Sequence, residues 1–304
     1  MRGLFLWMAS NTWLRERIPR LPFARKAVRR FMPGEEPEDA LQAGAVFKKE
    51  GIASEFTRLG ENVTRADEAD AVAAHYLEMM DRISAAGLDG EISVKLTQLG
   101  LDIDRAICLD NLRRILSAAD KCGFFVRVDM ESSSYTEVTL QIVETVWRHG
   151  NRQVGVVLQS CLYRTEQDLE RMNTLGSRIR LVKGAYREPK TVAHQKKSDV
   201  DAAYLRLAKR LLTESTYPAI ATHDEQILDG VKRFAAERGI APETYEFQML
   251  YGVRRDLQTA LVREGHRMRV YVPFGKEWFP YFMRRLGERP ANVAFVLRSL
   301  IAER

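Results

Sequence analysis

The chain has 304 residues, of which 45% are hydrophobic and 29% charged, a balance that suits one large globular domain or two small ones and excludes a disordered chain. No apolar run reaches the roughly 18 to 20 residues that span a bilayer, and the N-terminus lacks the apolar block and cleavage site of a secretory signal, so a cytoplasmic protein is expected. Cys108, Cys122 and Cys161 share no C-x-x-C spacing and the five histidines form no H-E-x-x-H pair, which points to reduced thiols and no metal site.

The formal charge of +6 is unevenly spread, because residues 1–33 hold eight Lys or Arg against one acid while the remainder is near neutral. Leu4, Phe5, Leu6, Trp7, Trp13, Leu14, Leu21, Phe23 and Phe31 alternate there with Arg15, Arg17, Arg20, Arg25, Lys26, Arg29 and Arg30. Two readings stand. The segment lies on an anionic surface, membrane or nucleic acid, or it is a helical arm that packs its aromatics on the main domain, with Pro19, Pro22 and Pro33 interrupting any long helix. The acidic stretch from Gly34 to Asp39 reads as a linker. A basic helical N-terminal arm is assigned to residues 1–45 and the main domain to 46–304.

Beyond it, short β-type runs alternate with helical periodicity. Strands are predicted over Glu55–Leu59, Glu91–Leu96, Phe124–Met130, Val154–Gln159, Arg180–Lys183, Ala219–Thr222, Tyr245–Met249 and Met268–Val272. Among the helices between them are Ala66–Ala86, Leu109–Lys121, Thr136–His149, Val200–Glu214 and Gln226–Arg238. About eight strand-helix units predict an α/β fold, a (β/α)8 TIM-type barrel, although a doubly wound sheet alternates in the same way.

Residues one apart on a strand face opposite sides, so Ile92, Val94 and Leu96 facing the helices place Lys95 inside. The same parity puts Arg127, Asp129, Gln159, Glu246, Gln248, Arg269 and Tyr271 in the interior. Such charges must pair or meet a ligand. Arg127, Glu246 and Arg269 are read as structural partners of one another, whereas Lys95, Asp129, Gln159, Lys183, Thr222, His223 and Tyr271 fall at C-terminal strand ends, where barrel enzymes place their sites. After the last strand, the aromatic run Trp278-Phe-Pro-Tyr-Phe-Met ends in Arg284-Arg285, two planar guanidiniums that suit a carboxylate or phosphate. No G-x-G-x-x-G or G-x-x-x-x-G-K-[ST] occurs, so any cofactor must sit on the barrel, where Lys183-Gly184-Ala185 offers a cation and an open backbone.

Ser93-Val-Lys95-Leu, the run from Arg180 through Lys183-Gly-Ala-Tyr186 to Pro189, Ala221-Thr-His223-Asp, Glu246-Phe-Gln-Met-Leu250-Tyr-Gly252, and Tyr271-Val-Pro-Phe-Gly275 with Arg284-Arg285 resemble, in the same order, the monofunctional bacterial proline dehydrogenases. The resemblance implies a distorted barrel whose last helix covers the mouth, with FAD as cofactor. It implies oxidation of L-proline to Δ1-pyrroline-5-carboxylate, hydride passing from proline C5 to flavin N5 and electrons onward to a quinone. In the roles it carries over, Lys95, Arg284 and Arg285 hold the proline carboxylate, Asp129 orients Lys95, and Tyr271 and Leu250 wall the ring. Arg180 sits near flavin N5, while Met130, Gln159, Lys183, Gly184, Ala185, Thr222 and His223 line FAD and Tyr186 stands close by. Glu61, in Leu-Gly-Glu-Asn, resembles the family's gate and pairs with Arg284 when substrate is absent. Peripheral contact with the inner face of the membrane and transient contact with a separate pyrroline-5-carboxylate dehydrogenase are the further partners expected. Nucleic acid is not. Two rival functions use the same residues: a Schiff-base aldolase acting through Lys95 or Lys183, and a nucleic-acid-binding protein acting through the basic arm.

Overall fold

The computed structural model describes residues 2–21, 24 and 27–288. Helices α1 (Arg2–Ser10) and α2 (Thr12–Arg17) lead to a short 3-10 turn, Ile18–Arg20, and then to α3 (Pro37–Lys49). Eight strands follow, alternating with helices: β1 (Ala53–Arg58), α4 (Ala66–Ala85), β2 (Gly90–Val94), α5 (Arg105–Cys122), β3 (Val126–Val128), α6 (Thr136–Arg148), β4 (Val154–Gln159) and α7 (Thr165–Leu175). The second half holds β5 (Arg178–Val182), α8 (Lys197–Glu214), β6 (Ala219–Ala221), α9 (Glu225–Glu237), β7 (Glu246–Leu250), α10 (Arg255–Arg263), β8 (Arg267–Phe274) and α11 (Phe279–Glu288). Each strand pairs in parallel with its sequence neighbours and β8 returns to β1, closing the barrel.

Periodicity explains how each helix meets the sheet. Ala69, Val72, Ala73, Tyr76, Met79, Met80 and Ile83 recur at three- and four-residue steps on α4 and are all buried. They pack against Ile92 and Val94, within a core that continues around the sheet through Val126, Val156, Leu181, Ile220, Phe247 and Val270. Full burial of each such side chain contributes about 1.5–3 kcal/mol. Tyr76 also carries a polar tip into this layer, donating to Ser93 O at 3.0 Å and accepting from Arg58 N at 3.1 Å, so it ties β1 to β2.

Helix α5 begins four residues before the predicted Leu109, because Asp104 caps it by accepting from Ala106 N at 2.6 Å. Gly123, at φ 72°, ends it in the left-handed cap that favours glycine. The expected linker from Gly34 to Asp39 is corrected in part: Pro37, Glu38 and Asp39 form the first turn of α3, where proline and acidic side chains suit unpaired N–H groups and the positive helix end. Helix α3 also runs unbroken through residues 45 and 46.

The arm has two faces. Ala9, Ala27, Val28, Phe31 and Met32 are buried in a second apolar cluster with Trp278, Phe279, Phe282 and Met283 of the last turn and helix, and Tyr281 donates to Phe31 O at 3.3 Å. Arm and barrel approach closely at Gly252, where any Cβ would come within 1.5 Å of Arg30 O. Leu4, Trp7, Trp13 and Leu21 are exposed, with the Arg17 guanidinium 5.0 Å from the Trp13 ring. Pro22, Phe23, Arg25 and Lys26, together with the side chains of Leu6, Arg15 and Arg20, lie outside the described residues. Among the described residues no helix is long and apolar enough to cross a membrane.

Candidate active site

Register places the central group. Val94 pairs with Val128, and Asp129 N donates to Val94 O at 2.9 Å, so the next inward residues, Lys95 and Asp129, stand side by side at the C-terminal ends of β2 and β3. Lys95 Nζ lies 2.9 Å from Asp129 Oδ2, which also accepts from Tyr271 Oη at 2.7 Å, while Ser93 Oγ donates to Oδ1 at 2.7 Å. Arg180 donates to Asp129 Oδ1 through Nη2 and to Glu55 Oε2 through Nη1 at 2.5 Å, with its Cζ 5.3 Å from the Tyr271 ring centre. Four strands thus contribute to one buried carboxylate.

Burial by itself would raise the Asp129 carboxyl, yet Lys95 and Arg180 outweigh it and hold the group well below the usual carboxylate range. Lys95 responds in kind. Burial opposes its charge, but Tyr271 and Asp129 push its ammonium well above its ordinary value, so it stays protonated.

At the rim, Arg284 Nη1 donates to Glu61 Oε1 at 2.6 Å and Tyr186 Oη donates to Glu61 Oε2 at 3.2 Å, with the Arg284 Cζ 5.7 Å from the Tyr186 ring. Burial raises the Glu61 carboxyl, and Arg284 more than reverses this, leaving it lowered. Consecutive residues on a helix project about 100° apart. Even so, Arg284 and Arg285 both line the cavity, because α11 lies across the barrel mouth; the Arg285 Cζ is 5.1 Å from the Tyr281 ring.

That cavity measures about 850 Å³, near the top of the roughly 300–1,000 Å³ range of ligand and cofactor sites. It gathers every residue assigned a substrate, cofactor or gate role from the sequence: Lys95, Asp129, Arg180, Leu250, Tyr271, Arg284, Arg285 and Glu61, and also Met130, Gln159, Lys183, Gly184, Ala185, Tyr186, Thr222 and His223. Gly184 has φ 111°, and a Cβ there would stand 2.4 Å from Cys161 Sγ, so only glycine fits. His223 Nε2 accepts from Leu250 N at 3.0 Å, which leaves the ring hydrogen on Nδ1. Lys183 Nζ contacts Asp201 at 2.5 Å and Asp224 at 2.7 Å, and Lys197 shares both carboxylates. Among the described residues, no group of three or more His, Cys, Asp or Glu is arranged to hold a metal ion.

Sequence reasoning missed Glu55, the second partner of Arg180, and Ser93, the second-strand hydroxyl on Asp129. Strand parity would have found both, since Glu55 and Ser93 sit on inward positions of β1 and β2. The expected mutual pairing of Arg127, Glu246 and Arg269 is half corrected. Arg269 Nε does meet Glu246 at 3.1 Å, but Arg127 Nη2 faces Glu91 at 3.6 Å, because Glu91 lies on the neighbouring strand two residues before Ser93, the register partner of Arg127, and so faces the same side.

Residues 40–298 match the family model described as proline dehydrogenase. The chain is 42% identical over 276 residues to a proline dehydrogenase of Deinococcus radiodurans, covering 90% of this chain and 89% of that one. It is 39% identical over 301 residues to proline dehydrogenase 1 of Bacillus subtilis strain 168, covering 99% of each. Among solved structures it is similar to proline utilization A (PutA) from Bdellovibrio bacteriovorus, with a TM-score of 0.81 at 24% identity, over 93% of this chain and 38% of that chain. Similarity also extends to PutA from Bradyrhizobium japonicum, with a TM-score of 0.75 at 23% identity, over 91% of this chain and 32% of that one. The chain therefore spans only about a third of the solved PutA chains, and these support the fold alone.

Proposed function

This chain belongs to the proline dehydrogenase family of oxidoreductases, and we propose on that premise that it oxidises L-proline to Δ1-pyrroline-5-carboxylate with FAD and passes the electrons to a quinone. The observation that carries this reading is the convergence of Lys95, Arg284 and Arg285 on one cavity that also contains the Asp129–Tyr271 pair. Three cations around one space are suited to a carboxylate, and Asp129 holds Lys95 while Tyr271 and Leu250 give the pyrrolidine ring an apolar wall. Arg180, kept charged by Glu55 and Asp129 despite burial, would favour an electron-rich reduced cofactor.

FAD suits the remaining wall. Gly184 brings backbone rather than side chain to the cavity, and Ala185, Met130, Gln159, Thr222 and His223 continue the same surface beside Lys183. When bound, FAD supplies the two-electron acceptor that takes hydride from proline C5 at flavin N5. The protein's contribution is to fix the ring in place and to keep water from it. Glu61, paired with Arg284, would compete with the substrate carboxylate and so act as a gate.

We place the meeting of the 1–45 arm and the 46–304 FAD-binding barrel within α3. The exposed Leu4, Trp7, Trp13 and Leu21, on a segment rich in arginine, would rest on the inner face of an anionic membrane, where the quinone resides. The enzyme would otherwise work in the cytoplasm and hand its product to a separate pyrroline-5-carboxylate dehydrogenase. An aldolase would need a lysine of lowered pKa, and the raised ammonium of Lys95 and the two-carboxylate clasp on Lys183 argue against one. Incubation with L-proline and a soluble dye acceptor tests the activity. Mass analysis should find a product two hydrogens lighter than proline, and recovery of unchanged proline would reject the reading.

A further inference from the structure

The loop between β1 and α4 carries Glu61, and its anchorage lies outside the cavity. Two of its backbone amides go to one buried residue: Asn62 N donates to Thr97 Oγ1 at 3.0 Å and Val63 N to Thr97 O at 3.1 Å. Thr97 in turn gives both its donors to Glu131, N–H to Oε1 at 3.2 Å and Oγ1–H to Oε2 at 2.7 Å. The Glu131 carbonyl is fixed by Gln159 Nε2 at 2.9 Å. Asn62 stands at φ 59°, left-handed backbone that asparagine tolerates better than other side chains, and its amide donates to Asp102 Oδ2 at 2.9 Å, while Tyr135 Oη donates to Asp102 Oδ1 at 2.8 Å. The turn sends Glu61 to Arg284 and Asn62 to the Asp102–Tyr135 pair.

A carboxyl buried beside Thr97 costs desolvation that an apolar residue would avoid, and the substrate and cofactor roles above leave it unused. We propose that Thr97 and Glu131 are positioning residues that hold the Glu61 loop against Arg284 and so set how readily Arg284 is released to a substrate carboxylate. The inference rests on the gate role proposed for Glu61.

Anaerobic stopped-flow reduction of the flavin by proline separates the possibilities. Thr97→Val and Glu131→Leu should each lower the proline concentration for half-maximal rate by at least about threefold while the limiting rate changes less than about twofold, and Thr97→Ser should restore wild-type behaviour. In a Glu61→Gln background neither should shift it further. Asn62→Gly, compatible with the left-handed backbone, carries the same test if the buried substitutions fail to fold. If Glu61→Gln lowers the half-saturating concentration but Thr97→Val, Glu131→Leu and Asn62→Gly do not, the latch is overturned and the gate survives. A Glu61→Gln enzyme with wild-type proline binding would overturn the gate itself. Equal shifts with and without Glu61 would make Thr97 and Glu131 merely structural and overturn the proposal.

Discussion

Lys95 Nζ lies 2.9 Å from Asp129 Oδ2 on the adjacent strand, and Asp129 is also held by Ser93, Tyr271 and Arg180, so the proposed carboxylate-binding cation is fixed by a carboxylate that three other side chains share. Breaking a buried pair from one side costs about 3–5 kcal/mol, because the remaining charge loses its partner. Asp129→Ala should therefore shift the denaturant midpoint downward by a comparable stability loss and weaken proline binding together. Asp129→Asn, whose single amide oxygen can still accept from Ser93 or from Tyr271, should lose less. Wild-type stability and kinetics in Asp129→Ala would show that the network is incidental.

Arg284 and Arg285 approach the cavity from the helix that covers it. Removing one charge-assisted hydrogen bond to a carboxylate costs about 1.5–3 kcal/mol, so Arg285→Met should reduce kcat/KM for proline by roughly ten- to a hundred-fold with FAD retained. Arg284→Met should fall in the same range, and its loss also frees Glu61. Normal proline kinetics in both variants would return these arginines to ordinary helix-end charges.

Glu131 makes stability depend on pH. Burial pushes its carboxyl up to about 7, against the opposing pull of Thr97 and Lys95. A folded value above the ordinary 4.5 means that the folded chain holds the proton more tightly, so this contribution is fully present below about 4.5 and is lost as pH rises through 7. Glu131→Gln stays neutral and keeps the shape. Relative to wild type it should gain on the order of 2–3 kcal/mol between pH 5 and pH 8 in urea unfolding, and a difference that is flat with pH would contradict the shift. Glu55 is also pushed up to about 7, by burial against Arg180, but it is common to both proteins and cancels in the comparison.

Period-two alternation made the strand-borne part of the site legible: Lys95, Asp129 and Tyr271 follow from strand parity, and the eight-unit alternation gives the closed barrel. That signal stops at the strand ends. Thr97, Glu131 and Asn62 lie in loops, where hydrogen bonds between distant segments decide position and local pattern carries no information. Glu55 escaped because the predicted strand began on it, so its inward facing was not weighed. The arm was ambiguous for a different reason. Its composition suited packing and surface contact alike, and the structure shows one face doing the first while the other stays exposed. The linker reading ignored that proline and acids also open helices.

That two-faced arm gives a selective test of membrane contact. Trp7 and Trp13 are exposed, whereas Phe31 and Met32 form the packed face. Trp7→Ala with Trp13→Ala should weaken binding to anionic vesicles and slow turnover with a long-chain quinone, leaving the melting temperature and turnover with a soluble dye nearly unchanged. Unchanged vesicle binding and equal turnover with both acceptors would reject membrane contact through this face.

The absorbance spectrum of the purified protein, recorded anaerobically before and after L-proline, tests the central claim most directly. The account predicts a yellow protein whose flavin absorbance bleaches on addition of proline. A protein that stays colourless and unreactive toward proline after FAD is supplied, or a bound flavin that proline leaves oxidised, would contradict it.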